Sequence, residues 1–414
     1  MRQRTRSLQY YANPRRVAYE VVILAEESHH PEEHLNKLGC LLKERDFRLA
    51  AALVYEVLRH KTRLESVIEK RLSRGRVPSK VMTVLKIGLV QLMFLRRIPA
   101  FAAVNETVTL AKAVVPRFAS LTNAVLAGLS RDREAEPLIF PAEPFDRRQE
   151  PAASLSIFYS HPRWLVDKIL PRLGFRETRA FLAADNVEAP PTIRINPLRT
   201  NLDELAALLP FRTVRGKYSP LALIPETAAG RPDFWPGFAD GLFAVQDEAS
   251  QILPLLAGRP ESVLDGCAGL GGKSFALASI LPQAEMTLVD PSAKRLSLIA
   301  AEAGRLGLPN RLTVVSGDLR DEFSLGDESS RAASEKDPTK SEIRKATFDR
   351  PIPESELVRT APRASLSGKK FDLVVIDPPC TSTGVIRRRP DVKWSKSLKD
   401  LENARRLQTE LLRV

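Results

Sequence analysis

Four aspartates close runs of strand-forming residues: Asp265 after SVL, Asp290 after MTLV, Asp318 after LTVVSG and Asp377 after FDLVVI. The first opens DGCAGLGGK, Asp265 to Lys273, where Gly266, Gly269, Gly271 and Gly272 let the backbone turn tightly and approach a ligand closely. The N–H groups at the start of a following helix favour a negatively charged group there. Asp290 falls 25 positions after Asp265, where an acid can accept hydrogen bonds from ribose hydroxyls. By itself such a turn serves NAD, FAD or S-adenosylmethionine equally. The glycine spacing is not G-x-G-x-x-G. Gly272-Lys273-Ser274 is present, but position 267 is cysteine, so the motif is not a phosphate loop. The fourth acid begins Asp377-Pro378-Pro379-Cys380. Its prolines fix the backbone just beyond the strand, so that Asp377 and Cys380 are held in place. A thiolate there is a strong nucleophile and a proton acceptor. The segment RRRPDVKW, Arg387 to Trp394, has cations for phosphates and a ring on which a base can stack.

These residues need a scaffold that brings four strand ends together. SVLD (262–265), MTLVD (286–290) and LTVVSGD (312–318) alternate with helical stretches, and FDLVVID follows from 371. That alternation argues a parallel sheet covered by helices, whose carboxyl rim is where ligands bind. Residues 321–368 interrupt it with eight serines, four prolines and only two aromatics, and read as a disordered insertion. Upstream, residues 15 to about 132 carry helical periodicity, and VPSKVMTVLKIGLVQLMFL is apolar almost all round, as a central bundle helix is. A polar, proline-containing linker spans 133–150, and 151–240 mixes short helices with the strand-like TIRINP and LALIPE. The domains expected are therefore a helical one over 1–135, a small α+β one over 151–240, and a Rossmann-like α/β one over 241–414.

Sixty-three Lys and Arg against 50 Asp and Glu leave a charge of +13, which favours a polyanionic partner such as nucleic acid. Three scattered cysteines, Cys40, Cys267 and Cys380, suggest neither a disulfide framework nor a metal site, and fit a reducing cytoplasm. No apolar run approaches the ~20 residues of a membrane span.

Taken in order, VQDEASQ (245–251), LDGCAGLGGK (264–273), D-x3-KRL (290–296), GD (317–318) and IDPPCTSTGVIRRRPDVKW (376–394) resemble the Sun/RsmB family of 16S ribosomal-RNA cytosine-C5 methyltransferases. ERDFRLAAALVYEVLRH, LKIGLVQLMFLRRIPAFAAVNETVTLAK and LTNAVL resemble that family's NusB-like RNA-binding domain. The resemblance implies S-adenosylmethionine as cofactor. Cys267, Ala268, Gly269, Leu270, Gly271, Gly272 and Lys273 would form the loop around it, with Asp290 on the ribose, Asp318 by the adenine and Asp377 on the target cytosine. It implies small-subunit ribosomal RNA, free or in an assembling particle, as partner of a monomeric cytoplasmic protein. Catalysis in the family uses two cysteines. Cys380 resembles the one that assists product release, and the one that attacks cytosine C6 lies in a Thr-Cys motif. No Thr-Cys pair occurs in the 414 residues. The chain is accordingly expected to be cut short at its C-terminus, with four of seven sheet strands, and to be inactive as it stands. The alternatives are an RNA-binding protein with a remnant methyltransferase domain, and attack by Cys380 itself. AGLGGK also departs from the family's usual A-A-P-G-G-K, with Leu270 in place of proline.

Overall fold

The structure, a computed structural model, describes residues 13–72, 75–135, 150–227, 230–308, 312–320, 358–361, 366 and 369–413. Contacts divide the chain into two units, Met1–Ala189 with Thr381–Glu402, and Pro190–Cys380 with Asn403–Val414.

The first unit is helical: α1 Pro14–Ser28, α2 Pro31–Gly39, α3 Glu44–Arg59, α4 Lys61–Glu69, α5 Ser79–Met93, α6 Ala100–Val114, α7 Ala119–Ala135, α8 Pro151–Phe158 and α9 Arg163–Asp185. The apolar stripes close on one core, in which Val17, Leu53, Val57, Leu64, Leu89 and Leu126 are wholly buried. α5 runs through its middle, buried on every side as its apolar sequence requires. A Cβ at Gly88 would come within 2.5 Å of Leu126, so that glycine sets how closely α5 and α7 approach. Lys86 of α5 is 2% exposed, and its ammonium reaches Glu65 at 3.1 Å and Glu26 at 3.5 Å. A buried lysine matched by carboxylates in this way avoids the penalty of an isolated charge.

α8 and α9, which the sequence reading groups with the small α+β domain, cluster by contacts with the helical unit, where Ser160 Oγ accepts from Thr62 N at 3.0 Å and Leu155, Val166 and Leu182 share a small core. Their sequence shows two amphipathic helices and nothing of what covers them.

The second unit holds two sheets. β1 Ile193–Ile195, β2 Thr213–Arg215, β3 Ala222–Pro225 and β4 Phe243–Val245 form an antiparallel sheet in the order β2-β3-β1-β4. α10 Leu202–Leu208, started by an Asn201–Glu204 capping box, packs on its core of Ile193, Leu223, Trp235 and Phe243. Next come α11 Glu248–Ile252, β5 Ser262–Asp265, α12 Gly272–Ile280, β6 Glu285–Asp290, α13 Ala293–Leu296, α14 Ile299–Leu306, β7 Leu312–Ser316, β8 Val358–Ala361 and β9 Leu373–Val375. These five strands form a parallel sheet in the order β8-β7-β6-β5-β9. Arg194 of β1, 2% exposed, donates to Ser279 Oγ of α12 at 3.0 Å, which fastens the small sheet to the large one.

Two expectations change here. Residues 321–368 are not wholly an insertion without structure, since 358–361 form β8, parallel to β7, while 321–357 lie outside the described residues. The four residues were hidden by their polar neighbours, and the strand takes its backbone partners from β7. FDLVVID also makes a shorter strand than its apolar run suggests, with Val374 half exposed. Asp372, the acid near the start of that run, fixes the register by accepting from Ser262 N at 2.9 Å, Ser262 Oγ at 3.0 Å and Glu261 N at 3.0 Å.

The chain then returns to the first unit from Thr381 to Glu402, through α15 Val392–Ser395 and the start of α16 Leu398–Leu411. The expected methyltransferase domain over 241–414 is thus interrupted by a segment that packs on the helices.

Candidate active site

β5 ends in Asp265, and its carboxylate organises the loop that follows. It is 1% exposed, accepts from Ser274 Oγ at 2.6 Å and from Cys267 N at 3.2 Å, and burial raises its pKa above the usual carboxylate range. Gly266 N donates to Val375 O, Ala268 N to Val289 O and Gly271 N to Ala268 O, each at 2.8–2.9 Å, so the loop is held from both neighbouring strands. Gly271 has φ +82°, and a Cβ there would meet the Phe275 ring at 2.5 Å. Gly269 has φ +59° but faces open space. The glycines therefore do two different things. One fits a tight turn, and the other has open space where a side chain would stand. Leu270 is 58% exposed.

Asp290 closes β6 and is 3% exposed. It accepts from Gly269 N at 3.0 Å, Ser292 N at 2.8 Å and Arg295 at 3.0 Å. Asp318, just past β7, is gripped by Arg320 through N and Nε, both at 3.0 Å, and Nη2 at 2.8 Å. Arg320 reaches on to Glu410 of α16 at 2.9 Å. Past β9, Asp377 is exposed and pairs with Lys273 from the start of α12. Gln408 of α16 donates to Pro379 O at 3.0 Å, and Cys380 stands exposed beyond it.

The sheet order sets Asp318, Asp290, Asp265 and Asp377 side by side along one rim. Their convergence is visible at Cys267. Burial pushes that thiol up to about 11, and the carboxylates of Asp265, Asp290, Asp377 and Asp318 all push in the same direction. A thiol so placed stays protonated near pH 7 and is not a nucleophile. Ala268, Gly269, Leu270, Gly271, Gly272 and Lys273 lie in the same loop. Lys393 and Trp394 are built into the helical unit, where Lys393 is 1% exposed and Trp394 is partly buried.

Comparison with known proteins bears on this arrangement. The NusB family pattern matches residues 12–131, the 16S rRNA methyltransferase RsmB/F pattern matches 355–414, and the RsmF/B-like ferredoxin-like domain matches 161–227. The ribosomal RNA small subunit methyltransferase B of Vibrio cholerae is 31% identical over 90% of this chain and 74% of its own. The chain belongs to that methyltransferase family. The enzyme of the same name from Klebsiella pneumoniae is also 31% identical, over 90% of this chain and 75% of its own. Among solved structures, "Crystal Structure of PH0851" has TM-score 0.66 and 19% identity over 97% of this chain and 81% of that one, which shows a shared fold.

Within this methyltransferase, the sequence motifs pointed to the acids but did not say which residues partner them, although D-x3-KRL already held Arg295. Ser274, Arg295, Arg320 and Glu410 orient Asp265, Asp290 and Asp318. Ser274 was within reach, one residue past GGK. Glu410 was not, because it lies 90 residues from Arg320 and only the fold brings them together. VQDEASQ proves to stitch the unit internally: Gln246 donates to Gly272 O at 3.1 Å, and buried Gln251 accepts from Ser219 Oγ at 2.8 Å.

Proposed function

We propose that this protein methylates C5 of a cytosine in small-subunit ribosomal RNA, with S-adenosylmethionine as methyl donor. The observation that carries the reading is the row of four strand-end carboxylates around a glycine loop, with Asp377 and Cys380 at its exposed end. The residues suit the cofactor. Gly269 has open space beside it, and Asp290 and Asp318 offer acceptors oriented by fixed donors. Asp290 would hold the ribose hydroxyls and Asp318 the adenine amino group. When bound, the cofactor supplies an electrophilic methyl group.

The remaining work falls to the protein. The target base must be unpaired or flipped out to reach the rim. Asp377 accepts a hydrogen bond from the cytosine and helps polarise its ring, with the Lys273 ammonium as its counter-charge. A thiolate added at C6 makes C5 nucleophilic. That addition is assigned to a Thr-Cys thiol of the family and to no residue of 1–414. Once C5 has been methylated and its proton removed, Cys380 assists release of the RNA. The basic helical unit supplies RNA affinity that falls with salt.

The test is to delete the gene, map 5-methylcytosine in the cell's small-subunit rRNA, and restore the gene with and without Asp377→Ala. Loss of one C5 methyl group on deletion, regained only with the unaltered gene, is the expected result. An unchanged rRNA methylation pattern overturns the reading.

A further inference from the structure

The order β2-β3-β1-β4 puts β1 inside the small sheet and β2 at its edge. A four-stranded sheet can bind single-stranded RNA by stacking bases on an open face. In this sheet β1 is covered on both sides. Ile193 and Ile195 belong to the core with Leu205 of α10, and Arg194 donates to Ser279 Oγ of α12. The turn that joins β2 to β3 is open instead. It carries Lys217 and Tyr218, both exposed, with the Lys217 ammonium 5.0 Å from the Tyr218 ring centroid. Tyr218 is 65% exposed, which leaves its ring room for a base.

This exposed turn is nevertheless held at several points. Gly216 N donates to Ala222 O at 2.8 Å. The Glu248 carboxylate accepts from Tyr218 N and, at 2.9 Å, from Ser219 N. A Cβ at Gly216 would lie 2.6 Å from Glu248 Oε1 and 2.4 Å from the Ala222 Cβ, so the glycine is what admits that carboxylate. Ser219, 3% exposed, donates through Oγ to Gln251 Oε1 at 2.8 Å. Gln251 Nε2 donates to Gln246 O at 2.9 Å, and Gln246 Nε2 to Gly272 O at 3.1 Å. Gly272 opens α12, and the next residue, Lys273, is the counter-ion of Asp377. A hydrogen-bonded path thus runs from the turn to the rim, through Gln246 and Gln251 of VQDEASQ and wholly inside the second unit. A cation–ring pair so exposed stabilises the fold little. Its backbone is fixed while its side chains face outward, which is the arrangement that lowers the ordering cost of binding.

We propose that Lys217 and Tyr218 form a contact for single-stranded substrate RNA: the Tyr218 ring stacks an unpaired base that flanks the target cytosine, and the Lys217 ammonium takes a neighbouring phosphate. The covered sheet face leaves this task to the turn. The contact deepens the function proposed above and rests on it for the identity of the RNA.

The experiment measures the affinity of the full chain for a cytosine-containing single-stranded RNA of about 12 nucleotides, for the same sequence as a duplex, and for S-adenosylhomocysteine. Tyr218→Ala, Tyr218→Phe and Lys217→Met are compared with Phe234→Ala. Phe234 is the control for any exposed ring with a cation beside it, being 77% exposed with the Arg231 guanidinium 5.1 Å from its centroid. Tyr218→Ala should weaken single-strand binding about tenfold and duplex binding by no more than about twofold. Tyr218→Phe keeps the ring and should stay within about twofold of wild type. Lys217→Met should lower the slope of log affinity against log salt by about 0.7 for the single strand. All these side chains are exposed, so urea midpoints and affinity for S-adenosylhomocysteine should hardly move. The proposal is overturned if Tyr218→Ala leaves single-strand affinity within about twofold, if the duplex loses as much, if Phe234→Ala matches it, or if Lys217→Met leaves the salt slope unchanged. RNA binding that depends on Tyr218 in a chain that never binds S-adenosylhomocysteine would sink the cofactor reading and leave this contact standing. S-adenosylhomocysteine binding with RNA affinity indifferent to Tyr218 would do the reverse.

Discussion

The loop Asp265–Lys273 and the segment Arg387–Trp394 both read, residue by residue, as ligand-holding stretches. The structure keeps the first on an open rim and builds the second into a helical core. The difference lies in what each residue type commits to. A glycine at φ +82° is a local demand, met wherever the chain goes. A lysine or tryptophan carries both an apolar body and a polar tip, and either end can be the one that is used. Basic and aromatic residues in sequence therefore show less than glycines do.

The largest effect that would sharpen the contrast is at Lys393. Burial pulls its pKa down from 10.5 to about 7 in the folded chain, with Asp185 and Glu56 opposing and Arg59 assisting. Between those two values the unfolded chain binds a proton that the folded chain does not, so stability rises with pH across that window. Lys393→Met removes this dependence. The stability difference between wild type and variant should shift by on the order of 5 kcal/mol from pH 7 to 10.5, read by urea unfolding. A flat difference would mean a solvated lysine and would return the segment to the status of a basic loop. His161, buried and lowered to about 4, stays neutral in the fold and adds a loss of stability as pH falls from 6.5 to 4 in both proteins.

Gly271→Ala comes next. It combines a left-handed backbone with a Cβ placed 2.5 Å from Phe275, and should cost about 3 kcal/mol and weaken binding of S-adenosylhomocysteine. Gly269→Ala, left-handed but in open space, should cost only about 1 kcal/mol. Equal costs would break the distinction between turn and opening. Trp394→Ala should destabilise the helical unit by about 2–3 kcal/mol and Trp394→Phe by about 1, the first from lost packing and the second from one hydrogen bond, both measured by thermal unfolding. Leu270→Pro should change stability least, by about 0.5 kcal/mol or less, because Leu270 is largely exposed.

Much of the fold was legible before the structure. β5 occupies the four residues that SVLD marks out, and β6 and β7 lie within a residue or two of their runs. Short-range apolar pattern sets such elements, because a strand buried on both faces must be apolar throughout. β8 was not legible, since its reason for being a strand is its partner β7. The association of α8 and α9 with the helical unit was hidden in the same way.

The sequence by itself determined the acids at the strand ends, the glycines that turn the backbone and the prolines that hold Cys380, because each is a property of a residue and its immediate neighbours. Only the tertiary structure decided that Glu410 backs the Arg320 that orients Asp318, that burial, with four carboxylates beside it, holds Cys267 as a neutral thiol, and that Lys393 and Trp394 grip a helix end. The deciding partners include groups 90 residues apart, Arg320 and Glu410, and more than 300 apart, Lys393 and Trp394 with the end of α3, and the water excluded between them fixes which charges survive.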